Sequence, residues 1–218
     1  MTPKEFVTDL AALSFQNTFN PYRDRCPIHD LKDAPARRRA ALLAILKIAA
    51  EAPVDAIWIG RDLGYRGGRR TGLALTDDVH AEEHAARWNI PLSRPTKGNL
   101  LAEKTAAVIW STLSQIDSRV FLWNVFPLHP HKLNSPFTNR AHNALERRTG
   151  EMFLSMLVNI VNPRRIIAIG NDAASSARII CQGKEVVKVR HPSYGGQTDF
   201  LSSIRRLYPA TNKLPLPE

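Results

Sequence analysis

The sequence predicts an α/β fold, a three-layer α/β/α sandwich with a central four-stranded parallel sheet. Four short segments are almost unbroken in apolar character, which is typical of strands buried on both faces. Segments with apolar residues at helical spacing alternate with them, and this alternation favours parallel strands joined by helical crossovers. The length of 218 residues suits one domain with its own core, which we take to span 1–218.

The predicted elements follow in order along the chain. Two helices come first, at about 3–17 and 35–51, and a proline near the start of the second favours helix initiation. The strands are predicted at 55–60, 119–124, 165–170 and 185–190. Further helices are predicted at 99–113, 140–161, 172–180 and 198–208. The remaining stretch, 61–98, is rich in Gly, Arg and Pro, and long loops of this kind are often functional.

Charge and cysteine content narrow the class of protein. Thirty Lys and Arg against twenty Asp and Glu give a net charge of +10, which favours a polyanionic partner such as nucleic acid. No apolar run approaches the ~20 residues that cross a bilayer, and the first residues indicate a helix rather than a signal peptide. Cys26 and Cys181 form no CxxC pair, which argues against zinc ribbons, iron–sulfur clusters and disulfide frameworks. We expect a cytoplasmic monomer.

Polar residues stand at the ends of three predicted strands. Asp62 follows the first strand, Asn124 ends the second, and His191 ends the fourth, whereas the third ends in a glycine before a helix start. Open α/β sheets bind ligands beyond the carboxyl ends of their strands. Each residue also has an ordinary structural role open to it, since Asp62 can cap a turn and His191 can be a loop histidine. Asn124 lies between apolar segments, and a buried carboxamide needs partners from backbone or ligand.

These three side chains together suit hydrolysis of an N-glycosidic bond. A carboxamide offers a donor and an acceptor side by side, matching one edge of a nucleobase. A carboxylate can orient water and stabilise a sugar cation. A histidine can hydrogen-bond an oxygen on which negative charge develops as a base departs. The positive charge supplies attraction to the DNA backbone.

Four stretches resemble the uracil-DNA glycosylase superfamily. "IGRDLGY" (59–65) is similar to its first motif, "GQDPY", and "FLWNVFPLHP" (121–130) to the strand ending in its base-reading asparagine. "IIAIGNDAASSA" (166–177) resembles its apolar strand with glycine and helix start, and "VRHPSYGG" (189–196) its "HPS" loop. The match covers about residues 55–208 and keeps the motifs in order at the strand ends.

The resemblance implies a role for each matching residue. Asp62 would position the water or stabilise the oxocarbenium ion, Asn124 would bond uracil N3–H and O4, and His191 would stabilise the leaving anion at O2. Gly60 and Arg61 would line the substrate site. Residues of the last motif would contact DNA: Pro192 and Ser193 at phosphate, and Tyr194 and Gly195 in the wedge that enters the duplex. No metal or organic cofactor is implied.

The chain also departs from the family pattern. Leu63 and Gly64 replace the proline and the tyrosine of "GQDPY", so discrimination against thymine is open. No stacking phenylalanine follows the first motif, because "TGLALTDD" (71–78) offers only Leu73, Ala74 and Leu75. Tyr65 or Phe126 would then stack on the base. The cysteines that bind an iron–sulfur cluster in some branches are absent.

Three further features have two interpretations each. Arg69 and Arg70 in "RGGRR" (66–70) would cradle phosphate, or belong to a solvated loop. His129 would lie at the pocket mouth near phosphate or base. Its pairing with His131 as a metal site is the weaker interpretation, because two histidines lack the ligands that a site needs. The glycines after Tyr194 fit a mobile wedge or a plain tight turn.

The leading hypothesis is a uracil-DNA glycosylase that flips uracil out of DNA and hydrolyses its N-glycosidic bond, leaving an abasic site. One alternative is a non-catalytic binder of uracil-containing or abasic DNA, favoured by the missing tyrosine and phenylalanine. The other is a glycosylase for another deaminated base, such as hypoxanthine or xanthine, or for a mismatch.

Overall fold

The computed structural model describes residues 1–209, so 210–218 of the predicted domain lie outside the described residues. Its strands are β1 (Thr18–Phe19), β2 (Ala56–Asp62), β3 (Val120–Phe126), β4 (His129–Pro130), β5 (Arg165–Ile169) and β6 (Glu185–Val189). Its helices are α1 (Pro3–Ala12), α2 (Ala34–Glu51), α3 (Gly68–Thr71), α4 (Ala81–Arg87), α5 (Lys104–Leu113), α6 (Ala144–Val161), α7 (Asn171–Ile180) and α8 (Gln197–Leu207).

The central sheet has four parallel strands in the spatial order β3-β2-β5-β6. Every residue of β3 is buried, as expected of a strand covered on both faces, whereas β6 lies at an edge and is partly exposed. A second, antiparallel pair joins the two short strands β1 and β4. The four strands of the central sheet are those that the sequence predicts.

Helices cover both faces of the sheet. Because successive strand residues point to opposite faces, Ile57 and Ile59 pack with α1, α2, α6 and α7, whereas Ala56 and Trp58 pack with α5 and α8. The predicted three-layer α/β/α architecture is therefore confirmed. No helix within residues 1–209 combines the length and the apolar character needed to cross a membrane.

The first helix is shorter than predicted. α1 ends at Ala12 rather than at residue 17. The side-chain amide of Asn20 donates hydrogen bonds to the carbonyls of Leu10 and Leu13, at 2.9 and 3.0 Å. These carbonyls at the end of a helix have no partners within it. The returning chain thus satisfies them and ends the helix there.

Two other helices begin later than predicted, each for a visible reason. α5 begins at Lys104 rather than at 99, because the backbone N–H groups of Leu101 and Glu103 donate to the carboxylates of Asp78 and Asp77. α6 begins at Ala144 rather than at 140. There, Asn143 caps the helix and its backbone N–H bonds the Glu146 carboxylate at 2.7 Å, the reciprocal capping box.

The stretch 61–98 is folded rather than loose. It contains the short helices α3 and α4, and Asp77 and Asp78 anchor it from the interior with 0 and 5% exposure. The Asp77 carboxylate accepts hydrogen bonds from the backbone and ring of His80, and the Asp78 carboxylate accepts one from the Thr96 hydroxyl. These bonds fix the stretch internally, and the bonds from the Leu101 and Glu103 N–H groups hold it against the segment that precedes α5.

Candidate active site

The carboxyl ends of the parallel strands bring the three predicted polar residues to one edge of the sheet, which we call the rim. Asp62 is the last residue of β2, and Asn124 lies in β3 directly opposite Gly60 of β2. His191 follows the end of β6 and packs beside Gly170 at the end of β5, where a Cβ added to the glycine would meet the histidine Cβ at 3.6 Å. The rim therefore runs across all four strands of the central sheet.

Asn124 has a polar atom without a partner. The side chain is 2% exposed, and its Oδ1 accepts no hydrogen bond from any donor in residues 1–209. An unsatisfied buried acceptor costs about 1–3 kcal/mol. A Cβ on Gly60 would lie 3.3 Å from Asn124 Nδ2 and 3.0 Å from Leu75 Cδ2. Gly60, the Asn124 carboxamide and Leu75 are thus packed closely together, with too little room for a side chain at position 60.

Asp62 is held on both carboxylate oxygens. Oδ1 lies 2.5 Å from His142 Nδ1, and Oδ2 accepts from Arg61 Nε at 2.8 Å. The Asp62 side chain is only 7% exposed, whereas that of Arg61 is 46% exposed and extends to the carboxylate of Asp172 at 3.3 Å. The ordinary role of turn cap does not describe this residue, because its partners are side chains.

His191 has a defined donor nitrogen. The backbone N–H of Ser193 donates to its Nδ1 at 3.1 Å, so Nδ1 carries no proton and the neutral ring carries its hydrogen on Nε2. Burial lowers the pKa of His191, and the neighbouring Arg61 guanidinium lowers it further. At neutral pH this side chain is therefore a neutral Nε2–H donor.

Leu75, rather than Phe126, lies against Gly60 beside the Asn124 carboxamide. Phe126 is fully buried and packs edge-on against Phe15 with ring centroids 5.6 Å apart, so it does not present a face to the rim. Leu73 and Ala74 are also buried. Leu75 is half-buried and has a φ of +54°, a left-handed conformation that leucine rarely adopts. The burial and edge-on packing of Phe126 argue against the predicted stacking on a base, which stays a prediction.

Glu103, which no sequence motif singles out, occupies the space beside Gly64. A Cβ on Gly64 would lie 2.8 Å from Glu103 Oε1. Burial raises the pKa of Glu103, and the nearby Asp77 raises it further. Tyr65 is partly exposed and holds the guanidinium of Arg66 over its ring, 5.4 Å from the centroid. Glu103 rather than Tyr65 therefore lies against the residue that replaces the family's tyrosine.

Arg69, Arg70 and His129 form an interior basic cluster instead of a phosphate cradle. They are 5, 5 and 0% exposed. The Arg69 guanidinium stacks over Phe19 at 3.9 Å and donates to His129 Nδ1 at 3.1 Å, while Arg70 pairs with Asp78 at 2.6 Å. Burial lowers the pKa of His129 to about 3. Because these groups are buried and paired within the fold, their burial argues against phosphate contacts at Arg69, Arg70 and His129, which stay predictions.

The loop after β6 points outward. The Tyr194 side chain is fully exposed and its φ is +53°, and Gly195 follows with a φ of +76°. The Ser193 hydroxyl lies 3.2 Å from that of Thr105, which ties the base of the loop to α5. An exposed aromatic residue at the tip of an anchored turn is accessible to a large partner.

Within residues 1–209, no group of three His, Cys, Asp or Glu side chains is arranged to hold a metal ion. The rings of His129 and His131 are adjacent, with centroids 5.8 Å apart, but no third ligand of these types joins them in that part of the chain. Zinc sites need three or four protein ligands. The polar side chains described at the rim, Asp62, Asn124 and His191, are therefore considered as hydrogen-bonding groups.

His142, Glu103 and Leu75 are the rim residues that sequence reasoning missed or set aside. His142 lies in a polar segment before α6, and no spacing rule connects it with Asp62, 80 residues earlier. Glu103 stands just before α5, where a carboxylate is an ordinary helix-start residue. Only the positive φ of Leu75 is unusual, and the residue type gives no signal of it.

Known proteins resemble the chain in both sequence and structure. The family model described as "Uracil DNA glycosylase superfamily" matches residues 52–209, which include the whole rim. No curated protein matches the sequence significantly. Among solved structures, the crystal structure of wild-type SMUG2 from Pedobacter heparinus is similar, with a TM-score of 0.60 and 16% sequence identity. The alignment covers 95% of this chain and 97% of that chain, and at this identity it shows a shared fold.

Proposed function

The chain belongs to the uracil DNA glycosylase superfamily, and from its rim we propose that it flips uracil out of DNA and hydrolyses the N-glycosidic bond. One observation carries the proposal. The buried carboxamide of Asn124 has an acceptor without a partner among residues 1–209, beside the bare backbone of Gly60. A uracil ring placed there would donate N3–H to the oxygen and accept at O4 from the amide nitrogen. Cytosine would present the opposite pattern and leave both groups unpaired.

Asp62 would act on the sugar and the water. As the C1′–N bond breaks, positive charge develops on the sugar, and a carboxylate nearby stabilises it. A water molecule then adds its oxygen to C1′, and its released proton passes to the carboxylate or to bulk solvent. Asp62 suits this role because it stays buried between two donors, His142 and Arg61.

His191 would act on the leaving group. The base departs with the bonding electron pair, so negative charge spreads onto its O2 oxygen. The neutral Nε2–H of His191 would donate to that oxygen, and preorganised donors of this kind contribute strongly to catalysis. Burial and the adjacent Arg61 keep the pKa of His191 low, so the ring donates a hydrogen bond without carrying a charge before the base leaves.

Leu75 and Tyr194 would hold the flipped base and the opened duplex. Leu75 lies beside the Asn124 amide and would cover one face of the ring, in place of an aromatic residue. Flipping a base costs a few kcal/mol, which a wedge in the vacated stack helps to offset. Tyr194, fully exposed at the tip of its loop, would be that wedge, with Ser193 and Gly195 at the phosphate backbone.

A second candidate is a glycosylase for another deaminated base, and one observation favours it. The wall beside Gly64 is a carboxyl group, that of Glu103, rather than an aromatic ring. A carboxyl group accepts hydrogen bonds, and it takes up less of the space around a bound base than a tyrosine side chain would. Bases with an extra donor or a larger outline would then also fit the pocket.

Cleavage of defined oligonucleotides tests both candidates. The probes carry one uracil, hypoxanthine, xanthine or mismatched thymine, in single and double strands, and alkali then breaks the strand at each abasic site. We expect cleavage at uracil, lost in Asp62→Asn. Asp117→Asn is the matched control, because Asp117 is exposed and precedes β3, away from the rim. Intact strands with every probe would refute a glycosylase, and tight binding without cleavage would indicate a non-catalytic binder.

The base reader is tested by Asn124→Asp. A carboxylate accepts hydrogen bonds but donates none unless protonated, so the pairing with uracil O4 is lost. We expect uracil cleavage to collapse, or selectivity to shift toward cytosine. Unchanged selectivity would show that Asn124 does not read the base.

A further inference from the structure

His142 is a buried side chain at the rim whose function the family motifs do not describe. Its Nδ1 lies 2.5 Å from Asp62 Oδ1, and the two side chains are 9 and 7% exposed. A carboxylate oxygen can only accept, so the hydrogen lies on Nδ1 and is donated to Asp62. This is a short contact in an enclosed setting, where a hydrogen bond to a charged group contributes more than in water.

The position of the imidazole is fixed from two sides. Its ring packs against that of Phe126 at the end of β3, with centroids 6.2 Å apart. The next residue, Asn143, begins α6 with a capping box closed by Glu146. Both carboxylate oxygens of Glu146 also accept from Arg140, each at 2.6 Å. The segment that carries His142 is therefore braced immediately before and after it.

The other partner of Asp62 is held less firmly. Arg61 is 46% exposed and divides its guanidinium between Asp62 and Asp172, which is 60% exposed. Exposed ion pairs of this kind contribute little and are weakened by salt. A DNA phosphate near the rim would compete for the same guanidinium. His142 is thus the partner that remains in place when the exposed one is drawn away.

We propose that His142 is a positioning residue for Asp62. It fixes the plane of the carboxylate by occupying one lone pair of Oδ1, and leaves the remaining lone pairs toward the sugar and the attacking water. This inference rests on the proposed glycosylase function, in which Asp62 stabilises the sugar cation. It adds a buried imidazole–carboxylate pair to the four motif positions, supplied by a segment outside all of them.

The test compares His142→Ala with His142→Asn under single-turnover conditions on uracil-containing duplex DNA. Alanine removes the donor, whereas the asparagine amide can place an N–H near the position of Nδ1. We expect alanine to lower the cleavage rate about 10- to 100-fold, as loss of a residue that orients a reacting group commonly does. Affinity for the substrate should change little, and asparagine should recover most of the rate. His131→Ala is the control for loss of an imidazole.

A double-mutant cycle separates positioning from a structural role. If His142 acts through Asp62, then His142→Ala has no further effect on the rate once Asp62→Asn is present. Equal losses in both backgrounds, or failure of asparagine to recover the rate, would overturn the inference. A wild-type rate in His142→Ala would also overturn it while leaving the proposed function intact.

The hydrogen bond has a readout independent of cleavage. In the wild-type protein, nitrogen-resolved NMR should show His142 with its proton on Nδ1 and a strongly downfield proton signal, which moves in Asp62→Asn. Absence of that signal overturns the inference whatever the activity. If wild-type protein cleaves no probe although the signal is present, the proposed glycosylase function fails, and the catalytic role of His142 fails with it.

Discussion

The rim and the interior basic cluster contain similar residue types, but their polar groups differ in whether they have hydrogen-bond partners. At the rim, Asn124 Oδ1 lacks a donor within residues 1–209, and Nε2 of His191 can donate toward a ligand. In the interior basic cluster, Arg69 donates to His129 and Arg70 pairs with Asp78. Asn124 and His191 at the rim can therefore hydrogen-bond a ligand, whereas the polar groups of the interior basic cluster bond one another and connect parts of the fold.

This difference shows where chemistry can occur. A paired and buried polar group stabilises the structure, because separating it from its partner leaves an uncompensated charge or an unmade hydrogen bond. An unpaired buried group lowers stability until a ligand satisfies it. The comparison predicts that changes at the rim affect the reaction and that changes in the interior basic cluster affect folding.

The largest effect is expected for the rim residues that would contact the reacting atoms. Asp62→Asn and His191→Ala should each lower the single-turnover cleavage rate by about 10²- to 10⁴-fold, since both act mainly in the transition state. Substrate affinity should stay close to the wild-type value. Near-normal rates in both variants would show that the rim is not the catalytic centre.

The next largest effect concerns the interior. Arg70→Met removes the closer of the two guanidinium groups beside the Asp78 carboxylate, whose side chain is 1% exposed, and leaves, within residues 1–209, only Arg94 at 3.9 Å. Loss of one member of a buried pair typically costs about 3–5 kcal/mol, which urea unfolding would measure. Arg66→Met is the matched control, because Arg66 is exposed in the same loop.

Measurement of DNA binding by Arg70→Met and Arg66→Met distinguishes an arginine that contacts phosphate from one that stabilises the fold. A residue that contacts phosphate contributes about one unit to the slope of log affinity against log salt concentration. We expect the folded Arg70→Met protein to keep the wild-type slope. A reduced slope would show that Arg70 contacts a DNA phosphate, contrary to what its burial indicates.

The sequence was sufficient for the fold and for the strand-end residues, and insufficient for what surrounds them. Short segments such as "RVFLWN" predict strands, because a short and almost unbroken apolar run is typical of a strand buried on both faces. Asp62, Asn124 and His191 follow from them, since parallel strands end at one edge. The burial of Arg69 and Arg70 was not predictable. Arg69 packs with Phe19 and His129 of two short strands far away in sequence, and Arg70 pairs with Asp78, contacts that no periodicity reveals. His142 was missed for the same reason.

An effect of comparable size is expected from pH, through buried histidines. Burial lowers the pKa values of His84 and His129 from 6.5 to about 3. The unfolded chain therefore binds more protons than the folded protein between these values, so stability is complete above about pH 6.5 and falls as the pH decreases toward 3. Each histidine contributes roughly 1 kcal/mol per pH unit in that range.

Urea unfolding between pH 7 and pH 4 would measure this dependence. His84→Gln should flatten the curve, because one of the two titrating groups is removed. His131→Gln is the control, since His131 is only partly buried and lies outside the core. An unchanged curve for His84→Gln would show that this imidazole does not take up a proton on unfolding.

The smallest effect is expected at Leu75, in the loop that connects the rim with the interior basic cluster. Its φ of +54° is unfavourable for leucine, and its side chain lies beside Gly60 and Asn124. Leu75→Phe should strengthen binding of uracil DNA by stacking, with a gain of about 1 kcal/mol. Leu75→Gly should weaken binding without loss of stability, because glycine adopts positive φ freely. If glycine binds as well as leucine does, the covering role of Leu75 is wrong, and the strain belongs to the fold alone.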